Sequence, residues 1–500
     1  MSRNVPLHLD REDFRAIGHR LVDQVADLLA AVPSRPVTPG EPPSAVRAAL
    51  GTEAPLPEKG SDPAVLLAET TRLLFEHSLF NGHPRFLGYI TSSPAPIGMF
   101  GDFVASALNP NVGAWTLSPA ATEIEAQTIR WIARFIGFPE SCGGVLVSGG
   151  NMANLVCFFA ARAAKAPWAV QKEGARPPGR GRLRAYASKE THTWLQKAAD
   201  LSGIGTDAVR WIETDAAQRI DVDALHRAIA ADRAGGDVPF LVVGTGGSVS
   251  TGAVDPLPRL AALCREESLW FHVDGAYGGF AAAVPEAPDD LRGLAEADSV
   301  AVDPHKWLYA PLEAGCALVR DAEAHRAAFS YHPPYYHFAE QSTNYVDFGM
   351  QNSRGFRALK VWLAFRHAGA EGHRRLISDD IRLTGVLADA IASEPSLEMK
   401  SRALSIATFR YVPRDLRARA GEPDVAAYLD RLNQALLDDL QRGGEVFVSN
   451  AVVGGRYLLR ACIVNFNTEE RDVAAIPAVV VRRGEALDRD LRPEALPAAR

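Results

Sequence analysis

The sequence predicts an α/β protein with a large, mostly parallel sheet, preceded by a helical segment and followed by a small α+β domain. Three observations carry this. Between about residues 94 and 373, short apolar runs alternate with helical patterns, as in a sheet covered on both faces. Ahead of them, residues 11–31 set Phe14, Ile17, Leu21, Val25 and Leu28 at helical spacing with charged residues between. Beyond about 374, Ile406–Tyr411, Val446–Ser449 and Arg456–Cys462 alternate like half-buried antiparallel strands, with a helix at 424–442. The expected units are 1–93, 94–373 and 374–500.

In chain order, Pro33, Pro36, Pro39, Pro42 and Pro43 stop the first helix and make an extended connector. A second amphipathic helix is expected through 64–80. The middle of the chain offers seven buried strands: Val145–Val147, Leu183–Ala187, Val209–Ile212, Phe240–Val243, Leu269–Val273, Ser299–Val302 and Cys316–Val319. Helical patterns at 153–165, 192–202, 222–233, 256–268 and 289–296 separate most of them, and another at 356–369 leads into the last unit. The basic Pro/Gly stretch at 171–182 reads as a solvated connection. No internal repeat is visible.

Composition narrows the function. Hydrophobic residues make up 47% of 500 and charged residues 23%, enough for a large core and unlike a disordered chain. Asp and Glu exceed Lys and Arg by 60 to 53, a net charge of −7. That balance gives no footprint for nucleic acid or an anionic membrane and favours a small-molecule partner. The cysteines (Cys142, Cys157, Cys264, Cys316, Cys462) are odd in number and scattered, so neither a disulfide framework nor a zinc cluster is indicated. With no signal-type or membrane-length apolar run, the chain reads as cytoplasmic.

Several common signatures are missing. There is no phosphate-binding G-x-x-x-x-G-K-[ST], no H-E-x-x-H, and Ser148 lacks the upstream glycine of G-x-S-x-G. What remains are four segments just after strand-like runs, where open α/β sheets gather ligands. Val147-Ser148-Gly149-Gly150-Asn151 leads at once into a helix, which suits either a phosphate cradle or a tight turn with an Asn cap. His192 follows another strand and can stack on a planar group or serve only structure. Asp274 ends an apolar strand and is followed by small residues through Ala276. It suits a cationic ring nitrogen or a helix cap. Lys306, after Asp303-Pro304-His305 and before Trp307, is either a desolvated nucleophilic amine or a surface lysine.

The ordered set matches the inventory of a pyridoxal 5′-phosphate site. Ser299-Val300, five residues, then Lys306-Trp307-Leu308 resembles the lysine signature of the group II pyridoxal-dependent amino acid decarboxylases, which include aromatic-L-amino-acid decarboxylases. His83-Pro84, Ser118-Pro119-Ala120-Ala121-Thr122-Glu123 and His272-Val273-Asp274-Gly275-Ala276-Tyr277 match as well. The resemblance runs from Phe14 to about Thr468. It implies fold type I, the aspartate aminotransferase architecture, and a homodimer with active sites at the interface.

Residue by residue, the resemblance makes Lys306 the covalent anchor for the cofactor aldehyde and Asp274 the partner of the ring nitrogen. It puts His192 on one ring face and leaves room on the other at Ala276. Gly149, Gly150 and Asn151 become the phosphate cradle, supplemented by His305. Asp303 departs from the asparagine of animal members, and Ser248 is chosen from a further cofactor-lining turn at 247–255. In the aromatic-rich stretch 331–338, Tyr335 matches the proton-donating tyrosine; members with phenylalanine there tend to be aldehyde synthases. Tyr89, Thr91, Gly113, Trp115 and His192 are expected at the substrate. Gly113 stands where animal aromatic decarboxylases have phenylalanine. The implied reaction is decarboxylation of an L-amino acid, foremost an aromatic one, to the amine. The competing readings are an aldehyde synthase, a decarboxylase of a non-aromatic amino acid and, more distantly, a non-catalytic protein retaining the fold.

Overall fold

The computed structural model describes residues 5–331 and 342–496. The large sheet contains β1 (Gly143–Val147), β2 (Leu183–Ser188), β3 (Val209–Ile212), β4 (Val238–Thr245), β5 (Trp270–Asp274), β6 (Ser299–Val302) and β7 (Gly315–Val319), in the order β1-β7-β6-β5-β4-β2-β3. All neighbours pair in parallel except β7, which is antiparallel to both β1 and β6. β1 therefore points the same way as β6. The carboxyl ends of β1, β2, β4, β5 and β6 gather along one edge. Every expected strand is present to within two residues at either end.

Helix cover explains why these strands read as unbroken apolar runs. The helix Gly150–Lys165 packs across β4, β5, β6 and β7, while Leu257–Glu266 packs on β4 and β5 and Pro119–Ile136 on β1. A buried ion pair ties the sheet edge to the loop before the next long helix. Arg354 Nη2 lies 2.5 Å from Glu125 Oε1 and also donates to the Leu146 carbonyl.

The small domain is an antiparallel sheet of β8 (Leu397–Ala403), β9 (Ile406–Tyr411), β10 (Ser449–Val453) and β11 (Arg456–Cys462), in the order β10-β11-β9-β8. Phe409, Leu429, Leu432, Leu436, Ile476 and Val480 form its core with helices Pro423–Gly443 and Glu470–Leu491. Two details depart from the sequence reading. The strand expected at Val446–Ser449 lies instead at Ser449–Val453. Phe447 pairs with an early segment: its N–H donates to the Arg85 carbonyl and its carbonyl accepts from Leu87, whose own carbonyl accepts from Cys462. Residues 85–87, placed in the N-terminal unit by sequence, thus serve the small domain.

The second departure is the helix expected at 356–369, which runs Ala358–Ala392 through a break at Gly369 (φ 69°, ψ 170°). Only glycine adopts that conformation easily, so the chain bends without ending. The expected boundary at 373 falls inside this helix.

Candidate active site

Each site residue sits where its strand or turn stops. β6 ends at Val302; Asp303 follows, and the short helix Pro304–Trp307 carries His305 and Lys306. β5 ends on Asp274 itself. β1 leads through Gly149 into the helix beginning at Gly150, whose first-turn N–H groups have no carbonyl partners within the helix. A Cβ on Gly150 would lie 2.6 Å from Asp303 Oδ2 and 2.9 Å from the Ala276 Cβ, so this position accepts only glycine. Gly149 has φ 150°, which L side chains rarely adopt, and a Cβ there would meet His305 Cε1 at 3.2 Å.

One cleft brings together Gly150, Asn151, His192, Asp274, Asp303 and Lys306, with Ala276 on its wall. Lys306 Nζ is 3.1 Å from Asp303 Oδ2, and His305 Nε2 is 3.7 Å from the same oxygen. Asp303 Oδ1 is buried without a partner. An ionised carboxylate accepts and cannot donate to a phosphate, so Asp303 stands as counter-ion to Lys306 rather than as a phosphate ligand. Asp274 is held from two sides: Trp194 Nε1 donates to Oδ2 at 2.8 Å and the Ala276 N–H to Oδ1 at 3.2 Å. Each oxygen keeps a second lone pair for another donor.

Below Asp274 runs a neutral relay. Trp270 Nε1 donates to Ser299 Oγ, which pairs with His272 Nδ1 at 2.9 Å, while His272 Nε2 pairs with Asn154 Oδ1 at 2.8 Å. Burial pushes the His272 ring down to about 4, so it stays uncharged beneath the carboxylate. His192, open to the cleft, is also lowered, mainly by desolvation. His325 is lowered by burial to about 4 as well.

The buried histidines give a pH prediction with a definite sign. In the unfolded chain these rings take up protons near pH 6.5, but the folded state refuses them until well below that. The histidines' contribution is therefore full above pH 6.5 and is lost as pH drops towards 4, while Asp380 and Asp255, whose carboxyls burial raises to about 7 and about 6, take up protons in the fold and oppose it. At pH 5, His272 and His325 should each contribute about 2 kcal/mol of destabilisation. Urea unfolding at pH 7.5 and pH 5 would measure this. The histidine part is read against His325→Gln, which should lose less stability on acidification than the parent; equal losses would show that this ring already carries charge in the fold.

Not every expected residue reaches the cleft. Ser248 is turned inward, its Oγ 3.0 Å from Thr251 Oγ1, and Gly247 and Val249 line the cleft beside it. His305 does not line this cleft: its Nδ1 is 2.7 Å from the Ala314 carbonyl, while its other edge lies against Gly149 and Asp303. Tyr89, Thr91, Gly113 and Trp115 do not line the cleft of their own chain. Gly113 is also hemmed in: a Cβ would lie 2.2 Å from the Asn352 carbonyl, so a larger residue requires the loop to move. Tyr335 lies outside the described residues. A cavity of about 450 Å³ bounded by Leu28, Val32 and Leu312 brings in only His305 of this set, so size does not locate the chemistry.

Sequence reasoning missed four supports. Trp194, two residues after His192, has a buried indole N–H that must find an acceptor, and it finds Asp274. Asn154, one turn into the glycine-led helix, anchors His272. Asp380 accepts from Trp307 Nε1 at 2.8 Å and Tyr309 Oη at 2.7 Å, fixing the segment that carries Lys306. Arg460 is buried, with Nε and Nη2 unpartnered, and donates from Nη1 to the Tyr89 carbonyl. The first two had local signals; the last two did not.

The residues present fit pyridoxal 5′-phosphate. A glycine-led helix start suits its phosphate, a carboxylate with spare lone pairs suits its ring nitrogen, and an amine faces the same cleft. Among the described residues no group of side chains could hold a metal ion.

Comparison with known proteins agrees. The pyridoxal-dependent decarboxylase conserved domain matches residues 43–412. The aromatic-L-amino-acid decarboxylase of Bacillus atrophaeus is 33% identical over 481 residues, covering 95% of this chain and 96% of that protein. The phenylacetaldehyde synthase of a Rosa hybrid cultivar is 28% identical, covering 96% and 95%. Among solved structures, Oryza sativa TDC with PLP and tryptamine superposes with a TM-score of 0.88 at 29% identity, covering 97% of this chain and all of that one.

Proposed function

Because this chain belongs to the pyridoxal-dependent decarboxylase family, carboxy-lyases that work through pyridoxal 5′-phosphate, we propose that it converts an aromatic L-amino acid to its amine and carbon dioxide. The observation that carries this reading is the convergence of Lys306, Asp274 and the Gly150 helix start on one cleft. When bound, the cofactor supplies a conjugated ring that accepts the electron pair left as the carboxylate departs. Lys306 Nζ would supply the amine that holds the cofactor, with Asp303 as its counter-ion. Asp274 would favour a proton on the ring nitrogen. His192 and Ala276 would flank the ring, and Gly149, Gly150 and Asn151 would hold the phosphate. Orienting the bond to be broken and excluding water are the protein's share of the work.

The substrate-side residues support a homodimer. Tyr89, Thr91, Gly113 and Trp115 belong at the substrate by resemblance yet stand outside their own chain's cleft, so a second copy completes the pocket. Phe100, Phe103, Val104 and Leu108 on the helix Pro96–Leu108 are all exposed in the single chain, as are Phe14, Val22 and Leu29 on Arg11–Ala31. That apolar surface needs cover. Light scattering should give twice the chain mass, with Phe100→Glu/Phe103→Glu shifting it to the monomer; a wild-type monomer would break the shared-site reading. A cytoplasmic setting accords with five cysteines that form no disulfide.

Aromatic substrates lead because the expected pocket segments hold no basic cluster for a second carboxylate. The test is a screen of L-amino acids that quantifies carbon dioxide, amine, ammonia and peroxide together. Amine without ammonia from an aromatic substrate is the expected result. The likeness to phenylacetaldehyde synthase keeps one rival in play, in which aldehyde, ammonia and peroxide replace the amine. Tyr335 separates the two. If Tyr335 is the proton donor to the substrate carbon, Tyr335→Phe should still release carbon dioxide but, with dissolved dioxygen as the two-electron oxidant reduced to peroxide, divert most product from amine to aldehyde and ammonia. If the variant makes amine at the parental rate with no aldehyde, the donor is another group.

A further inference from the structure

In the small domain, a cavity of about 440 Å³ is bordered by Lys400, Arg410, Arg417 and Arg456, with Glu398 the only acid among the described residues on its wall. Four cations against one carboxylate are unexpected on a chain whose net charge is −7. β8 and β9 put Glu398 directly opposite Arg410. Arg410 Nε and Nη2 both point at Glu398 Oε2, at 2.8 and 2.7 Å. Arg410 Nη1 is left buried without a hydrogen-bond partner, in a residue only 6% exposed. A buried guanidinium N–H normally has an acceptor, and leaving it unpaired is costly. Arg417 Nη1 is fixed on the Leu397 carbonyl at 2.9 Å. Among the described residues, no carboxylate lies within 4.0 Å of the charged groups of Lys400, Arg417 or Arg456.

We propose that this cavity binds a small phosphorylated metabolite. Guanidinium forks match phosphate oxygens in pairs, and three of them around one space favour phosphate over a single carboxylate. The volume lies within the range of about 300–1,000 Å³ typical of small-molecule pockets, and is more than inorganic phosphate alone would need. Glu398 holds the Arg410 guanidinium in place on the cavity wall. The site is separate from the cofactor cleft but shares an element with it. The β8–β9 turn ends at Ser405, whose Oγ lies 2.7 Å from Tyr277 Oη, and Tyr277 lines the cleft.

The test is isothermal titration of the holoenzyme, with its cofactor sites filled, in phosphate-free buffer. The probes are inorganic phosphate, glycerol 3-phosphate and fructose 1,6-bisphosphate. The expected result is saturable binding of at least one organic phosphate, at least tenfold tighter than inorganic phosphate. Lys400→Gln/Arg456→Gln should weaken that binding at least tenfold while leaving decarboxylation without the probe unchanged. Arg410→Gln removes one guanidinium from the wall and should also weaken binding, but the double variant carries the test should Arg410→Gln fail to fold. No saturable binding by any probe, equal affinity in the double variant, or inorganic phosphate binding as tightly as the organic probes would each overturn the proposal.

Discussion

Lys306→Ala should remove catalysis altogether, with turnover down by at least four orders of magnitude, and should leave the protein unable to hold its cofactor covalently. Among the described residues no other amine lines the cleft, so none of them can take over the nucleophile's place. The fold should survive, because the Lys306 side chain is partly exposed and, among the described residues, its ion pair is with Asp303 alone. Borohydride reduction of the holoenzyme followed by mass spectrometry should find the cofactor on Lys306 in the parent and nowhere in the variant. A variant that keeps substantial decarboxylation would end the assignment of the whole site.

Asp274→Ala comes next in size. Removing the carboxylate takes away the charge that favours a protonated ring and leaves the Trp194 indole N–H without its acceptor. The rate should fall by about two to four orders of magnitude, in line with other losses of a preorganised charge. Lost indole pairing should cost about 1–3 kcal/mol of stability. Asp274→Asn divides the two effects, since its amide oxygen can still accept from Trp194. It should recover the stability and little of the rate. Near-parental rates in both variants would mean that another group protonates the ring.

Much of the large domain was legible because its strands are short, apolar and buried on both faces. A run such as Ser299–Val302 declares itself without knowledge of its neighbours. The same position explains the site: Asp274 ends such a run, and Gly149, Gly150 and Lys306 come just after others. What escaped reading depends on distance along the chain. Asp380 looks like any helical acid until Trp307 and Tyr309 are found against it. Val446–Val448 reads as strand because it is buried and β-prone, but its partner comes from residues 85–87 and the sheet strand starts at Ser449. Ser248 sits in the right turn and faces the wrong way, a choice of side chain that local sequence does not encode.

The pairing of residues 85–87 with Phe447 and Cys462 has a consequence for how the protein is made. About 360 residues separate Leu87 from Phe447, and ribosomes add roughly 5–20 residues per second. For roughly 20–70 s, then, Phe86 and Leu87 leave the ribosome as an unpaired apolar strand whose partner does not yet exist. How long that edge stays open to mispairing with other nascent chains is governed by the speed of translation and not by the speed of folding.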